Sequence, residues 1–261
     1  MRFAVISDVH GNLPALEAVI ADVKEQGVNA YALLGDYIFD FPHAAKIVMR
    51  MRELPNAFIV KGNKEGYLQG LAKEDPTTWH SEQMGVIHQT FRELALQDTQ
   101  YLMALPQKLC MPLDDGMRAC LMHVSPLPIK EGGVPLSSGR LAREMGQNPP
   151  MHGAYLQMVQ KVLDSDEAIN AFSDIDAQVV LFGHTHLQWH GYCGGKLVLN
   201  PGSVGLPLDF DTRAAYTIIE QRGAGFIVSE RRIPYNREAL IEHIKPCLRI
   251  AQERCGATCS S

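Results

Sequence analysis

The feature that most constrains this chain is a recurrence. Short apolar runs, each fit for a buried strand, stop abruptly at residues able to hold a metal ion or a phosphate. Arg2 to Ser7 runs into Asp8-Val9-His10-Gly11-Asn12, Ala30 to Leu34 into Gly35-Asp36, and Ala57 to Val60 into Gly62-Asn63. Further on, Met117 to His123 ends in an imidazole and Gln178 to Phe182 runs into Gly183-His184-Thr185-His186. Runs of this length suit strands covered on both faces. Leu13, Leu16, Val19, Ile20 and Val23 recur at helical spacing, with Pro14 in the first turn and Gly27 as a stop; a second helix is expected over about Pro42 to Glu53. Strand and helix alternating in this way predict a layered α/β fold with parallel strands. Parallel strands align their C-terminal ends, where ligands bind, so the polar stops should meet along one rim.

From Lys64 to about Ala104 the pattern turns helical. A hairpin is expected next, Lys108 to Leu113 and Met117 to His123 around Asp114-Asp115-Gly116. Residues 125–150 are rich in Pro, Gly and Ser and read as a long loop, followed by one helix over about Met151 to Phe172. Alternating strands and a helix from about Asn236 to Arg254 complete the chain. With no repeat or linker, residues 1–261 read as a single domain, with a helical insertion over 64–106 and a loop plus helix over 125–172. At 46% hydrophobic and 20% charged, the chain has the composition of a globular protein, not of a disordered or fibrous one. A net charge of −5 gives no support to a nucleic-acid polymer or an anionic membrane as partner. No run approaches the roughly 20 apolar residues that span a bilayer. The N-terminus lacks the pattern of a secretory signal, so a cytoplasmic location is expected. Six cysteines without a CxxC pair then read as free thiols. The oligomeric state leaves no trace in the sequence.

The strand-end residues comprise three carboxylate or amide side chains (Asp8, Asp36, Asn63) and four imidazoles (His10, His123, His184, His186). Mixed oxygen and nitrogen donors suit divalent transition metals better than Mg or Ca. Seven donors are too many for one ion with an open position, and fit two ions sharing a bridging carboxylate. Asp36, on the central of the three early strands, is placed for that role. Manganese is the first expectation, with Fe, Zn or Ni as alternatives.

These residues resemble the calcineurin-like metallophosphoesterase superfamily, whose pattern is a DxH, a GD, a GN, a later His and a GHxH. The segment Asn200-Pro201-Gly202-Ser203-Val204-Gly205 further resembles a signature of its small bacterial and archaeal phosphodiesterase-like branch. A DxH alone is common by chance; the whole set in order over residues 1–220 is specific. The resemblance implies a two-layered β-sandwich flanked by helices, with the site on loops at one edge. It implies that Asp8, His10 and His186 bind one metal, that Asn63, His123 and His184 bind the other, and that Asp36 bridges both. It further implies attack on phosphorus by a metal-bridging hydroxide, with Asp36 and Asn63 in the catalytic set and Asn12 near the substrate phosphate. A small phosphate ester of nucleotide type, more a diester than a monoester, is the expected substrate.

One motif departs from the family. Much of the superfamily has GNH followed by an acid, where this chain has Gly62-Asn63-Lys64-Glu65. Lys64 can hold a phosphate oxygen, or donate a proton if desolvated, but cannot act as an imidazole. Leaving groups that need a proton should suffer most. Two alternatives stand: a phosphomonoesterase or protein phosphatase on the same site, against which the missing histidine argues, and a non-catalytic metal-binding scaffold, which Lys64 keeps open. His43, His80, His88, His152, His190 and His243 lie outside the motifs and read as ordinary surface or core residues. Met49, Met51 and the aromatics of the insertion read as core filler, and Tyr37 and the segment from Asp40 to His43 read equally as lining the pocket or as only shaping the loop.

Overall fold

The computed structural model describes residues 1–75, 85–127, 159–209 and 211–242. Two five-stranded sheets face each other, with helices covering their outer faces. The first sheet comprises β1 (Arg2–Ile6), β2 (Ala30–Leu33), β3 (Ala57–Ile59), β9 (Ala214–Arg222) and β10 (Gly225–Ile233), in the order β10-β9-β1-β2-β3. The second comprises β4 (Lys108–Pro112), β5 (Arg118–Met122), β6 (Val179–Leu181), β7 (Gln188–Cys193) and β8 (Lys196–Pro201), in the order β4-β5-β6-β8-β7. Each sheet has a parallel run of three strands. In the first, β1–β2–β3 fills one side, with β9 antiparallel to β1 and β10 antiparallel to β9. In the second, β5–β6–β8 forms the centre, with antiparallel β4 and β7 at its edges.

Alternation along the strands builds the layers. In β1, Phe3 and Val5 enter the core between the sheets, together with Ala32 and Leu34 from the β2 segment and Leu121, Leu181 and Leu199 from the second sheet. Ala4 and Ile6 face the other way, onto α1 (Leu13–Glu25) and α2 (Ala44–Glu53). The expected insertion forms α3 (Asn63–Leu71), α4 (Gly85–Glu93) and α5 (Leu96–Ala104). Leu68, Leu71, Leu94 and Leu102 join that same helical layer. On the far face of the second sheet, a helical turn over 159–163 and α6 (Asp166–Ser173) cover Val180, Phe182 and Trp189.

Three expectations are corrected. The helix expected over Met151 to Phe172 is broken at Asp164 and Ser165, because the Ser165 hydroxyl accepts from the Ala168 N–H at 3.2 Å and starts a new helix. Met51 is core, but Met49, two positions away on α2, points outward and is half exposed. Tyr67, an aromatic of the insertion, is also exposed. The hairpin stands, turning through Asp115 in a left-handed conformation. Residues 128–158, 76–84 and 243–261 fall outside the described residues. With them go most of the expected loop, the end of the C-terminal helix, His80, His152 and His243, and Cys247, Cys255 and Cys259. Cys110, Cys120 and Cys193 are free. No helix among the described residues is long and apolar enough to cross a membrane.

Candidate metal centre

The polar stops of both sheets come together. Backbone hydrogen bonds beyond the strand ends, Asp8 N–H to Gly35 carbonyl at 3.0 Å and His10 N–H to Asp36 carbonyl at 2.9 Å, carry β1 and β2 outward side by side. The second sheet delivers His123, His184 and His186 to the same edge; the His184 N–H donates to Asp8 Oδ2 at 3.0 Å. Asp8, His10, Asp36, His184 and His186 all have positive φ, between 52° and 70°. Non-glycine residues are held there only when the surroundings over-determine them, and such positions gather at functional sites.

The donors fall into two groups. Asp8, His10 and His186 form one, Asp36, His123 and His184 the other, with the ligand atoms of each group within 4.8 Å of one another. In each group the carboxylate has one oxygen tied down and one facing the pocket. Asp8 Oδ2 accepts from Ser7 Oγ at 2.6 Å and from the His184 N–H; Oδ1, fully buried, has no hydrogen-bond partner and lies 3.2 Å from His186 Nε2 and 3.6 Å from His10 Nε2. Asp36 Oδ1 accepts from the Lys64 N–H at 2.8 Å, while Oδ2 lies 3.4 Å from His123 Nε2 and 3.9 Å from His10 Nε2. Asp36 therefore touches both groups. Asn63 joins the second, its Oδ1 3.0 Å from both His123 Nε2 and His184 Nδ1.

Three imidazoles are oriented from outside. His10 Nδ1 donates to Asp40 Oδ2 at 2.6 Å, His123 Nδ1 to the Leu34 carbonyl at 2.8 Å and His186 Nδ1 to the Leu206 carbonyl at 2.5 Å. With Nδ1 donating, each neutral ring turns a lone pair at Nε2 inward. His10 Nε2 and His186 Nε2 are 3.1 Å apart beside the orphaned carboxylate oxygen. Ring nitrogens and carboxylate oxygens crowded together in this way are what a cation resolves, and the residues present fit a pair of divalent transition metals.

The electrostatics follow from that crowding. Burial alone would lower the pKa of His10, but Asp40 and Asp8 outweigh it and raise the value to about 9. His123 is likewise lifted against its burial, by Asp36 and Asp8, to about 9. Burial would raise Asp8, yet the His10 and His186 imidazoles hold it well below the usual carboxylate range. His184 is lowered, first by burial and then by the His123 charge.

Gly62 and Gly183 are glycines because the carboxylates lie against them. A Cβ on Gly62 would collide with Asp36 Oδ1 and sit 2.5 Å from the Asp36 backbone nitrogen; one on Gly183 would collide with Ser7 Oγ and sit 2.5 Å from Asp8 Oδ2. The Asn200–Gly205 segment is a clasp behind the site. Asn200 Nδ2 donates to the Gly183 carbonyl at 2.7 Å, and the Ser203 hydroxyl and Gly205 N–H both donate to the Asp8 carbonyl, at 2.7 and 2.9 Å.

A family model for calcineurin-like phosphoesterases matches residues 1–188. This chain belongs to that family. The phosphoesterase is 25% identical to an uncharacterized protein of Methanocaldococcus jannaschii over 92% of its own length and 90% of the relative's. A metallophosphoesterase from Sphaerobacter thermophilus shares its fold with a TM-score of 0.68 at 24% identity, covering 95% of this chain and 94% of that one. A hypothetical protein from Pyrococcus horikoshii does so with a TM-score of 0.67 at 18% identity, covering 94% and 92%. Membership makes the chain a hydrolase of a family that uses divalent metals, and the two donor groups are where this phosphoesterase would hold them.

All seven residues singled out from the strand ends converge. Lys64 does too, but its Nζ is paired with Asp40 at 2.9 Å. Asn12 does not present its amide to the pocket. Its Oδ1 caps α1 by accepting from the Ala15 N–H, and its Nδ2 donates to the Gly205 carbonyl and the Tyr235 hydroxyl. Both amide donors are used inside the protein, which leaves none for a phosphate. The roles of two residues escaped the sequence reading. Glu65, fully buried, accepts from the Asp36, Tyr37 and Gly62 N–H groups at 3.0, 2.8 and 2.8 Å and so fixes the Gly35–Asp36 turn. Its signal was an acid three residues after the glycine that starts α3, the spacing of a capping box. Asp40 sits in a loop with no periodicity, and nothing in the sequence marks its partner.

Proposed function

We propose that this phosphoesterase hydrolyses a small phosphate ester of nucleotide type, favouring diesters and activated esters over alkyl monoesters. Asp8, His10 and His186 would hold one transition-metal ion and Asn63, His123 and His184 a second, with Asp36 shared between them. The carrying observation is the pair of half-anchored carboxylates whose free oxygens face inward-turned ring nitrogens, Asp8 Oδ1 having no other partner. Such ions supply a nucleophilic water near neutral pH and neutralise charge at phosphorus.

The chain's own residues do the rest. Ser7, Glu65 and the Ser203 clasp keep the carboxylates and their loops in place, so little reorganisation is left for the reaction. Lys64 offers a cation beside Asn63 to a phosphate oxygen. No imidazole follows Asn63 to protonate a departing alkoxide, which supports the preference for leaving groups stable as anions. Manganese is the proposed ion, and the free thiols suit a cytoplasmic setting.

Purified protein should carry close to two transition-metal ions per chain by elemental analysis. Turnover of bis-p-nitrophenyl phosphate with added manganese should vanish on chelation and fall by about 100-fold or more in Asp36→Asn. Activity indifferent to that substitution would move the chemistry elsewhere. Equal turnover of alkyl and p-nitrophenyl phosphates would overturn the leaving-group preference. Full metal loading without turnover of any ester would favour the scaffold reading.

A further inference from the structure

We infer that Asp40 is a positioning residue of the metal centre, holding the outer nitrogen of His10 with its carboxylate Oδ2 and tethering the Lys64 ammonium with both carboxylate oxygens. The inference rests on the metal-binding reading above and extends it to a residue outside the family's motifs.

The geometry is a chain of three side chains running outward. His10 is 2% exposed; its Nδ1 meets Asp40 Oδ2 at 2.6 Å. Asp40 is about one-third exposed, and the Lys64 ammonium lies 2.9 Å from Oδ2 and 3.2 Å from Oδ1. The backbone commits the loop to this arrangement. Phe39 and Asp40 both have positive φ, 69° and 62°, a backbone conformation that non-glycine residues rarely adopt. The fully buried Phe39 side chain anchors the segment, and the Phe41 N–H donates to the His10 carbonyl at 2.9 Å. One loop thus grips His10 by its backbone and by its ring.

His123 and His186 have only backbone carbonyls behind them. Among the three outward-anchored rings, His10 alone has a carboxylate. A carboxylate strengthens an imidazole as a ligand, and removing such a partner typically costs about 10–100-fold in metal affinity. Lys64 adds a second consequence. It follows Asn63, and its own N–H holds Asp36 Oδ1, so the ion pair ties the His10 group to the Asn63 group across the rim. A phosphate that draws the ammonium toward itself leaves Asp40 wholly to His10.

The test is a manganese titration of metal-stripped protein by calorimetry, with melting temperature as a check on folding. Wild type should bind two ions. Asp40→Ala should lose about 10–100-fold in affinity for one ion and leave the other unchanged. Asp40→Asn, which keeps the side chain's size and serves if the alanine variant does not fold, should show a smaller loss at the same ion. Asp40→Glu should restore part of it. Lys64→Met should keep both affinities and raise KM for bis-p-nitrophenyl phosphate more than it lowers kcat. Wild-type affinity for both ions in folded Asp40→Ala or Asp40→Asn overturns the inference, as does an equal weakening in Lys64→Met. Failure of the wild type to bind either ion would instead overturn the metal-binding reading itself.

Discussion

The two halves of the pocket are built from the same chemistry and held differently. Asp8, His10 and His186 are 0%, 2% and 7% exposed, with both rings fixed from behind and Asp8 backed by Ser7 and the Asn200–Gly205 clasp. In the other half Asp36 and His123 are equally buried, but His184 is partly open and its Nδ1, not Nε2, faces the donor cluster. The half lined by Asp8 is a finished socket. The half lined by Asn63 is a socket with one open wall, beside the Lys64 ammonium. A site that must hold a cation and still admit an anionic substrate divides those duties between its sides.

Steric probes at the two glycines test the contrast most severely. An alanine at position 62 meets the Asp36 backbone, which cannot yield; at position 183 it meets the buried Ser7 and Asp8 side chains, which can give way only by loosening the hydrogen bonds on Asp8 Oδ2. Gly62→Ala should cost about 3 kcal/mol, the top of the overpacking range, and Gly183→Ala about 1–2 kcal/mol. Melting curves of the metal-free proteins give the order directly. If Gly183→Ala melts lower, the anchored Asp8 side chain yields less than the Asp36 backbone.

The next largest effect is on pH. His10 and His123 have folded values near 9, above the ordinary 6.5, so their contribution to stability is complete below pH 6.5 and is lost as pH rises through about 9. His184, lowered in the fold, works the opposite way: its contribution is present above pH 6.5 and lost as pH falls through its folded value. The raised pair outnumbers it, so metal-free protein should lose melting temperature between pH 6.5 and 9. Metal-loaded protein should gain relative to it over the same range, since ions bind the deprotonated rings. Parallel curves for the two forms would mean that these rings are not the ligands.

The smallest effect concerns Asn12. Asn12→Ala removes a helix cap and two amide bonds in the Asp8 half, and should cost about 1–2 kcal/mol in stability without raising KM. A raised KM at unchanged stability would return that amide to the substrate.

Strand ends were legible because burial forces apolar runs and chemistry forces their stops. Asp8, Asp36, Asn63 and the three later histidines were therefore visible one motif at a time. The parallel-sheet rule also placed them on one rim correctly, although that rim belongs to two sheets packed face to face. Asp40's role, and Glu65's hold on Asp36 and Tyr37 as opposed to its local cap at Gly62, were not legible, because they join groups 24–30 residues apart that only tertiary closure brings near. The helix break at Ser165 had a local cue, Ser165 followed by Asp166 and Glu167, which helical periodicity on either side concealed. Met49 misled because apolar character alone does not fix which face of a short helix it occupies.

The Asn200–Gly205 clasp has a temporal consequence. Every inferred metal donor has left the ribosome by His186, but the clasp comes later, and β9, the strand that flanks β1, later still. A nascent chain therefore carries a complete set of donors before it can lock them into register. The donors can be held in register only once the chain has been made through β9.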